Sequence, residues 1–182
     1  RRITEAATRM LSIAEKARYV ETTVVSGEAE LVTVDVGAVA REVGERIDER
    51  YPAASVDVDA PEEALATAIG RDELSVAVEN VAENAVEHNP TDRPRVDLTI
   101  HPEPEAVRLS VVDDGPGIPD VEWAALTGDR ESPLHHASGL GLWLVRWIVE
   151  ASEGELRARS DDGPGSVVTI TLKRPNSPVS AS

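Results

Sequence analysis

Ile3, Ala6, Met10, Ile13, Ala17, Val20 and Val24 are separated alternately by three and four residues. That is the seam of a packed helix and predicts one over about residues 2–25. Ala7, Leu11 and Ala14 widen the apolar stripe as a four-helix bundle requires, while Glu5, Arg9, Lys16 and Thr23 keep the other side polar. After a polar stretch at 26–30 the period changes repeatedly. Leu31 to Val34 reads as a short strand, and Asp35 can cap a helix whose Val36, Val39, Ala40, Val43 and Ile47 share a face, ending before Pro52. Ser55 to Asp59 alternates as a half-buried strand does, and Ala64 to Ile69 is a weaker strand. Asp72 is the expected cap of a further helix running to about Asn89, stopped by Pro90. Val96, Leu98, Ile100 and then Val107, Leu109, Val111 mark two strands, 95–101 and 106–113, which should pair antiparallel across Pro102-Glu103-Pro104. Residues 118–138 hold no period, and a loop of that length in a compact domain usually serves function. Gly139 to about Ser152 is helical, and strands at 154–160 and 167–173 flank an Asp-Asp-Gly-Pro-Gly turn. Helices and strands in this order imply an α/β sandwich, with a mixed sheet covered on one face by three helices.

Composition narrows the functions open to this pattern. The 182 residues include 18 basic and 34 acidic side chains, a net charge of −16, which repels nucleic acid and anionic membranes. Only Lys16 and Lys173 are lysines and phenylalanine is absent, so the core rests on Val, Ile, Leu and Ala. An acidic, lysine-poor surface fits a high-salt cytoplasm, the halophilic expectation. The absence of cysteine excludes disulfides, thiolate metal sites and cysteine nucleophiles. No run approaches the ~20 apolar residues of a membrane span, so this segment is expected to be cytoplasmic without direct membrane contact, whether or not its parent is membrane-anchored. It begins at Arg1 and is read as part of a longer chain. Residues 175–182, rich in proline and serine, are read as a disordered tail.

Three short motifs carry the chemistry. Asn80, Asn84 and His88 fall four residues apart and form a polar stripe on a helix otherwise filled by Leu74, Val78, Val81 and Ala85. Such a stripe calls for a ligand or partner. Asp113-Asp114-Gly115-Pro116-Gly117 ends a strand, and Ser138-Gly139-Leu140-Gly141-Leu142 opens a helix. Their glycines permit close backbone approach, and the free N–H groups at the helix start favour phosphate. Nucleotide binding is the leading reading. A P-loop and the His-Arg-Asp and Asp-Phe-Gly set of eukaryotic protein kinases are both absent.

The ordered set resembles the ATP-binding domain of sensor histidine kinases, in the wider family of gyrase, mismatch-repair and heat-shock chaperone ATPases with the Bergerat fold. The resemblance covers roughly residues 30–174 and matches the family's N box at Asn80–His88, G1 box at Asp113–Gly117 and G2 box at Gly139–Leu142. Gly165-Ser166 matches its final Gly-Thr/Ser site. It implies a two-layer sandwich with a mostly antiparallel sheet, an ATP-binding catalytic domain over 28–174, and, at 1–27, the second helix of a dimerisation hairpin. Asp113 is then the acceptor for the adenine amino group. Asn84 is the oxygen ligand of Mg²⁺, and Asn80 and His88 lie on the phosphate and ribose side. Gly115, Gly117, Gly139, Leu140, Gly141, Leu142 and Ser166 complete the cofactor site. The expected partners are ATP, a second copy through the N-terminal helix, and a response regulator receiver domain. The phosphoacceptor histidine is expected outside this chain, since none of His88, His101, His135 or His136 stands in the family's phosphoacceptor pattern.

The sequence also departs from that pattern. Glu87 occupies a position where the family usually has Lys or Arg near the phosphates, and a carboxylate there repels a triphosphate unless metal or salt intervenes. It is expected to point to solvent or to contact a metal-bound water. Residues 118–138 would form the lid over ATP. They lack the family's aromatic latch, for which Trp123 is a substitute or a packing anchor, and Arg130 offers a replacement charge. The adjacent His135 and His136 lack a third metal ligand nearby. Two alternatives stand beside the kinase: a relative that hydrolyses ATP, for which Glu79 lies one place, about 100°, from the required base, and a non-catalytic nucleotide-responsive signalling module.

Overall fold

The computed structural model describes residues 31–117, 139–160 and 165–175. The expected helix at 2–25, the lid at 118–138 with Trp123, Arg130, His135 and His136, and most of the tail lie outside them. The described elements run β1 (Val32–Asp35), α1 (Val36–Arg50), β2 (Ser55–Asp59), β3 (Leu65–Ala68), α2 (Arg71–Glu87), β4 (Arg95–Pro102), β5 (Ala106–Asp113), α3 (Gly139–Ala151), β6 (Glu155–Ser160) and β7 (Ser166–Lys173).

Asp35 begins α1 as expected. Its Oδ1 accepts from Gly37 N at 3.0 Å and Ala38 N at 3.2 Å, filling two of the helix's unpaired donors. The same oxygen accepts from Ala64 N at 3.2 Å, so one carboxylate joins the helix start to the approach of β3. α2 corrects the sequence reading at its first turn. It starts at Arg71 after Gly70, with no side-chain cap, and Asp72 and Glu73 lie inside the first turn. There they act on the helix dipole rather than as a cap. Its last helical residue is Glu87, with His88 as C-cap, two residues before the predicted end.

Five strands form one sheet in the order β2-β4-β5-β7-β6, with β2 parallel to β4 and the remaining pairs antiparallel. β1 and β3 form a separate antiparallel ribbon, a long-range pairing that alternation alone did not reveal. Val96, Leu98, Ile100, Val107, Leu109, Val111, Val168, Ile170 and Leu172 occupy the covered face of the sheet and are buried. Val39, Val43 and Ile47 of α1, Leu74, Val78 and Val81 of α2, and Leu144, Val145 and Ile148 of α3 close over them. Gly44 lets α1 approach the sheet, because a Cβ there would lie 2.5 Å from Val58 Cγ2. No described helix is long and apolar enough to cross a membrane.

Candidate functional site

α2 carries the polar stripe, and its three members are treated differently by the fold. Asn80 is buried, and its Nδ2 donates to Val76 O at 2.7 Å, so one amide hydrogen is spent on its own helix. Asn84 is half-buried, yet its Nδ2 is sealed from solvent without a hydrogen-bond partner among the described residues. His88 is exposed at the C-cap, with its backbone N–H donating to Asn84 O at 3.0 Å.

The second motif lies where β5 leaves the sheet. Asp113 pairs in register with Val96 of β4 and Ser166 of β7, the last rung on both sides. Its Oδ1 accepts from Gly115 N at 2.8 Å, and its Oδ2 accepts from the Ser166 hydroxyl. The first of the glycine loops and the final Gly-Ser element therefore meet on one carboxylate. Gly165 makes this approach possible: its φ is +133°, and a Cβ would lie 2.5 Å from Asp113 O. Gly117 also holds a positive φ, +89°.

Asp114, the neighbour without an assigned role, is as firmly held. Its Oδ1 accepts from Asn89 Nδ2 at 2.6 Å and from Arg95 N at 3.0 Å. Asn89, read from the sequence only as the residue before a helix-stopping proline, is buried and joins the end of α2 to this turn. An Asn-Pro step after a polar stripe was the available signal.

The third motif opens α3, which packs against α2. Leu142 is buried, so its side chain serves packing and its backbone alone is left to approach a ligand. Gly141 is buried with it, while the side-chain surroundings of Gly139 and Leu140 lie outside the described residues.

Glu87 has a partner the sequence did not suggest. Tyr51 OH donates to Glu87 Oε1 at 2.8 Å from the C-terminal end of α1. Burial first, then the Glu87 carboxylate, raise the Tyr51 phenol above its ordinary value. Glu79, Glu83 and Glu87 recur every four residues, and α1 answers each. Arg46 Nη2 lies 3.1 Å from Glu79, Arg50 pairs with Glu83, and Tyr51, the C-cap just past α1, takes Glu87. The acidic stripe of α2 thus faces α1, beside the Asn80–Asn84–His88 stripe.

No group of three acidic, histidine or cysteine side chains that could hold a metal occurs among the described residues. Mg²⁺ needs no such group, since it keeps waters and binds through one or two protein oxygens plus phosphates. Asn84 fits that demand. Among the described residues no hydrogen bond holds its Nδ2, so turning the amide to present the oxygen to a cation breaks none at that atom. A groove of about 710 Å³ lies elsewhere, on the uncovered face of the sheet, where Arg108 and Arg157 are already paired with Glu103 and Glu155.

A sheet covered on one face by helices, with a polar helix stripe beside a carboxylate-centred glycine turn, defines the class as an α/β sandwich of nucleotide-binding type. The chain belongs to the histidine kinase-, DNA gyrase B- and HSP90-like ATPase family, which matches residues 70–176. It is 30% identical over 122 residues to the sensor histidine kinase WalK of Bacillus subtilis (strain 168), covering 62% of this chain and 20% of WalK. The chain therefore spans about a fifth of that relative's length. The mycobacterial sensor histidine kinase MprB superposes with a TM-score of 0.62 at 29% identity, over 79% of this chain and 99% of that one. Full-length ShkA, solved in complex with AMPPNP, superposes with a TM-score of 0.70 over 92% of this chain and 36% of its own; at 24% identity it speaks for the fold alone.

Proposed function

We propose that this chain binds Mg-ATP and is the catalytic domain of a two-component sensor histidine kinase, transferring the γ-phosphoryl group to a histidine on a dimerisation helix outside this chain. The observation that carries the reading is the convergence on Asp113: the Gly115 amide and the Ser166 hydroxyl hold its carboxylate at the end of β5. A carboxylate fixed in this way accepts from the adenine amino group, where guanine would present a carbonyl and be repelled. Gly115 and Gly117 admit the base, and the backbone from Gly139 to Leu142 at the start of α3 serves the phosphates. Asn84 offers the oxygen ligand to Mg²⁺, with Asn80 and His88 on the phosphate and ribose side. The bound ion would neutralise phosphate charge. The protein's own part is positioning.

Glu79 favours transfer over hydrolysis. Its carboxylate is held by Arg46 against α1, which removes the nearest acid from the role of water-activating base. Partners on this reading are a second copy joined through residues 1–27 and a response regulator receiver domain, in the cytoplasm where ATP is available. Calorimetric titration with a non-hydrolysable ATP analogue, with and without Mg²⁺ in molar potassium chloride, tests the first half. Magnesium-dependent binding is expected, and a folded chain that binds nothing overturns the reading. Labelled ATP with a supplied dimerisation hairpin tests the second; binding without transfer would favour the nucleotide-responsive module.

A further inference from the structure

We infer that Asn89 is a positioning residue that couples the helix carrying Asn84 to the turn carrying Asp113, through a hydrogen-bonded clamp on Asp114. The inference rests on the nucleotide reading above. Asn89 follows the end of α2, and its two amide ends reach in different directions. Oδ1 accepts from Thr91 N at 3.0 Å, fixing the Asn-Pro-Thr turn that leads to β4. Nδ2 donates to Asp114 Oδ1 at 2.6 Å, across 25 positions of sequence. The bond is short and charge-assisted, with its donor on a residue 8% exposed.

Asp114 in turn replaces backbone. β5 pairs with β4 only as far as Asp113 and Val96, and the next β4 donor, Arg95 N, is taken by the Asp114 side chain at 3.0 Å. The main chain is thereby released to turn through Gly115 while the sheet edge stays satisfied. Gly115 sits beneath the clamp: a Cβ there would lie 2.9 Å from Asp113 Oδ1 and 3.5 Å from Asn89 Nδ2. The residue just past the end of the metal-side helix thus fixes the turn whose amide orients the base-side carboxylate.

Binding of ATP, GTP and adenosine by the wild-type full chain and by Asn89→Ala, Asp114→Ala, the double variant and Asp114→Asn is the test. The two alanine variants should each weaken ATP and adenosine by roughly tenfold or more, since each loses the shared charge-assisted bond and one of its own, Asn89 that from Thr91 N and Asp114 that from Arg95 N. The ATP-to-GTP preference should fall, with the magnesium dependence intact. The double variant should lose clearly less than the two single losses combined, because they share one bond, and Asp114→Asn, which keeps the accepting oxygen, should recover most of the affinity. Amide exchange at Arg95 and Gly115 should accelerate in the alanine variants, a readout that needs no ligand. Wild-type binding with unchanged preference and exchange in folded Asn89→Ala would overturn the clamp alone. No binding by wild type would sink the site reading and with it the clamp's role in that site.

Discussion

At the scale of single residues, Asn84 and Tyr51 show the same economy in opposite directions. A sealed amide nitrogen without a partner costs the folded chain on the order of 1–3 kcal/mol. Replacing Asn84 by Ala removes that cost along with the proposed metal ligand. The variant is expected to melt at or above the wild-type temperature while losing magnesium-dependent nucleotide affinity. A variant that melts well below wild type, or that binds Mg-ATP unchanged, would contradict this. Tyr51 instead gains a partner by folding. Its phenol is raised above 10.0 by burial and by Glu87, so the protonated form is the one favoured in the fold. The sign follows: this stabilisation is complete below pH 10 and is lost as pH rises beyond it, when the phenolate would face a carboxylate. Urea denaturation from about pH 8 to 11 should show the wild type losing stability faster than Tyr51→Phe over the upper part of the range. Parallel curves would remove the phenol–carboxylate contact from the account.

Among the elements, α1 acts as a brace for the site helix. Its start is fixed by Asp35, whose one oxygen serves Gly37 N, Ala38 N and Ala64 N. Its last turns hold the acidic stripe of α2 through Arg46, Arg50 and Tyr51. Asp35→Ala should cost about 2 kcal/mol, the upper part of the range for an N-cap, because a β3-side amide loses its acceptor as well. Asp35→Asn keeps an oxygen and should cost far less; equal losses for the two would show that the cap bonds are not the cause. This cap was legible in the sequence because it is local: an aspartate directly before a run with apolar residues at 36, 39, 40, 43 and 47. The strands at 95–102 and 106–113 were legible for the same reason, their alternation reporting one covered face. What escaped was long-range. The β1–β3 ribbon, the α1–α2 acid pairing and the Asn89–Asp114 clamp each join segments 25 or more residues apart, and no local period encodes such a meeting. Glu87 illustrates the difference. Its identity announced a charge conflict in the sequence, whereas the partner that holds it, Tyr51, required the packing of α1 on α2 to be known. Asp72 failed as a cap for a local reason, since the helix begins at Arg71 after Gly70, and the aspartate falls inside the first turn.

The whole molecule carries 34 acidic against 18 basic side chains, and how that excess responds to salt is a physical question the ion pairs do not answer. Pairs such as Arg71–Glu42, Arg146–Glu150 and Lys173–Glu153 are exposed, and each contributes about 0–1 kcal/mol, weakening as salt is added. The unpaired excess works the other way. Sixteen uncompensated negative charges repel one another over distances comparable to the ~10 Å screening length at 0.1 M salt, and that length falls to ~3 Å at 1 M. Contact pairs sit inside even the shorter length, whereas repulsion between scattered carboxylates lies mostly outside it. Screening therefore removes more destabilisation than stabilisation. Melting temperature should rise as potassium chloride is increased from 0.1 to 1 M, with sodium chloride giving a similar rise because the effect is one of ionic strength. Asp59→Asn on the outward side of the edge strand β2, where Asp57 stands two residues away, should raise the melting temperature at low salt and lose that advantage at high salt. A melting temperature that is flat or falls with salt would mean that the surface pairs outweigh the excess, and would remove the physical basis for the high-salt expectation drawn from composition.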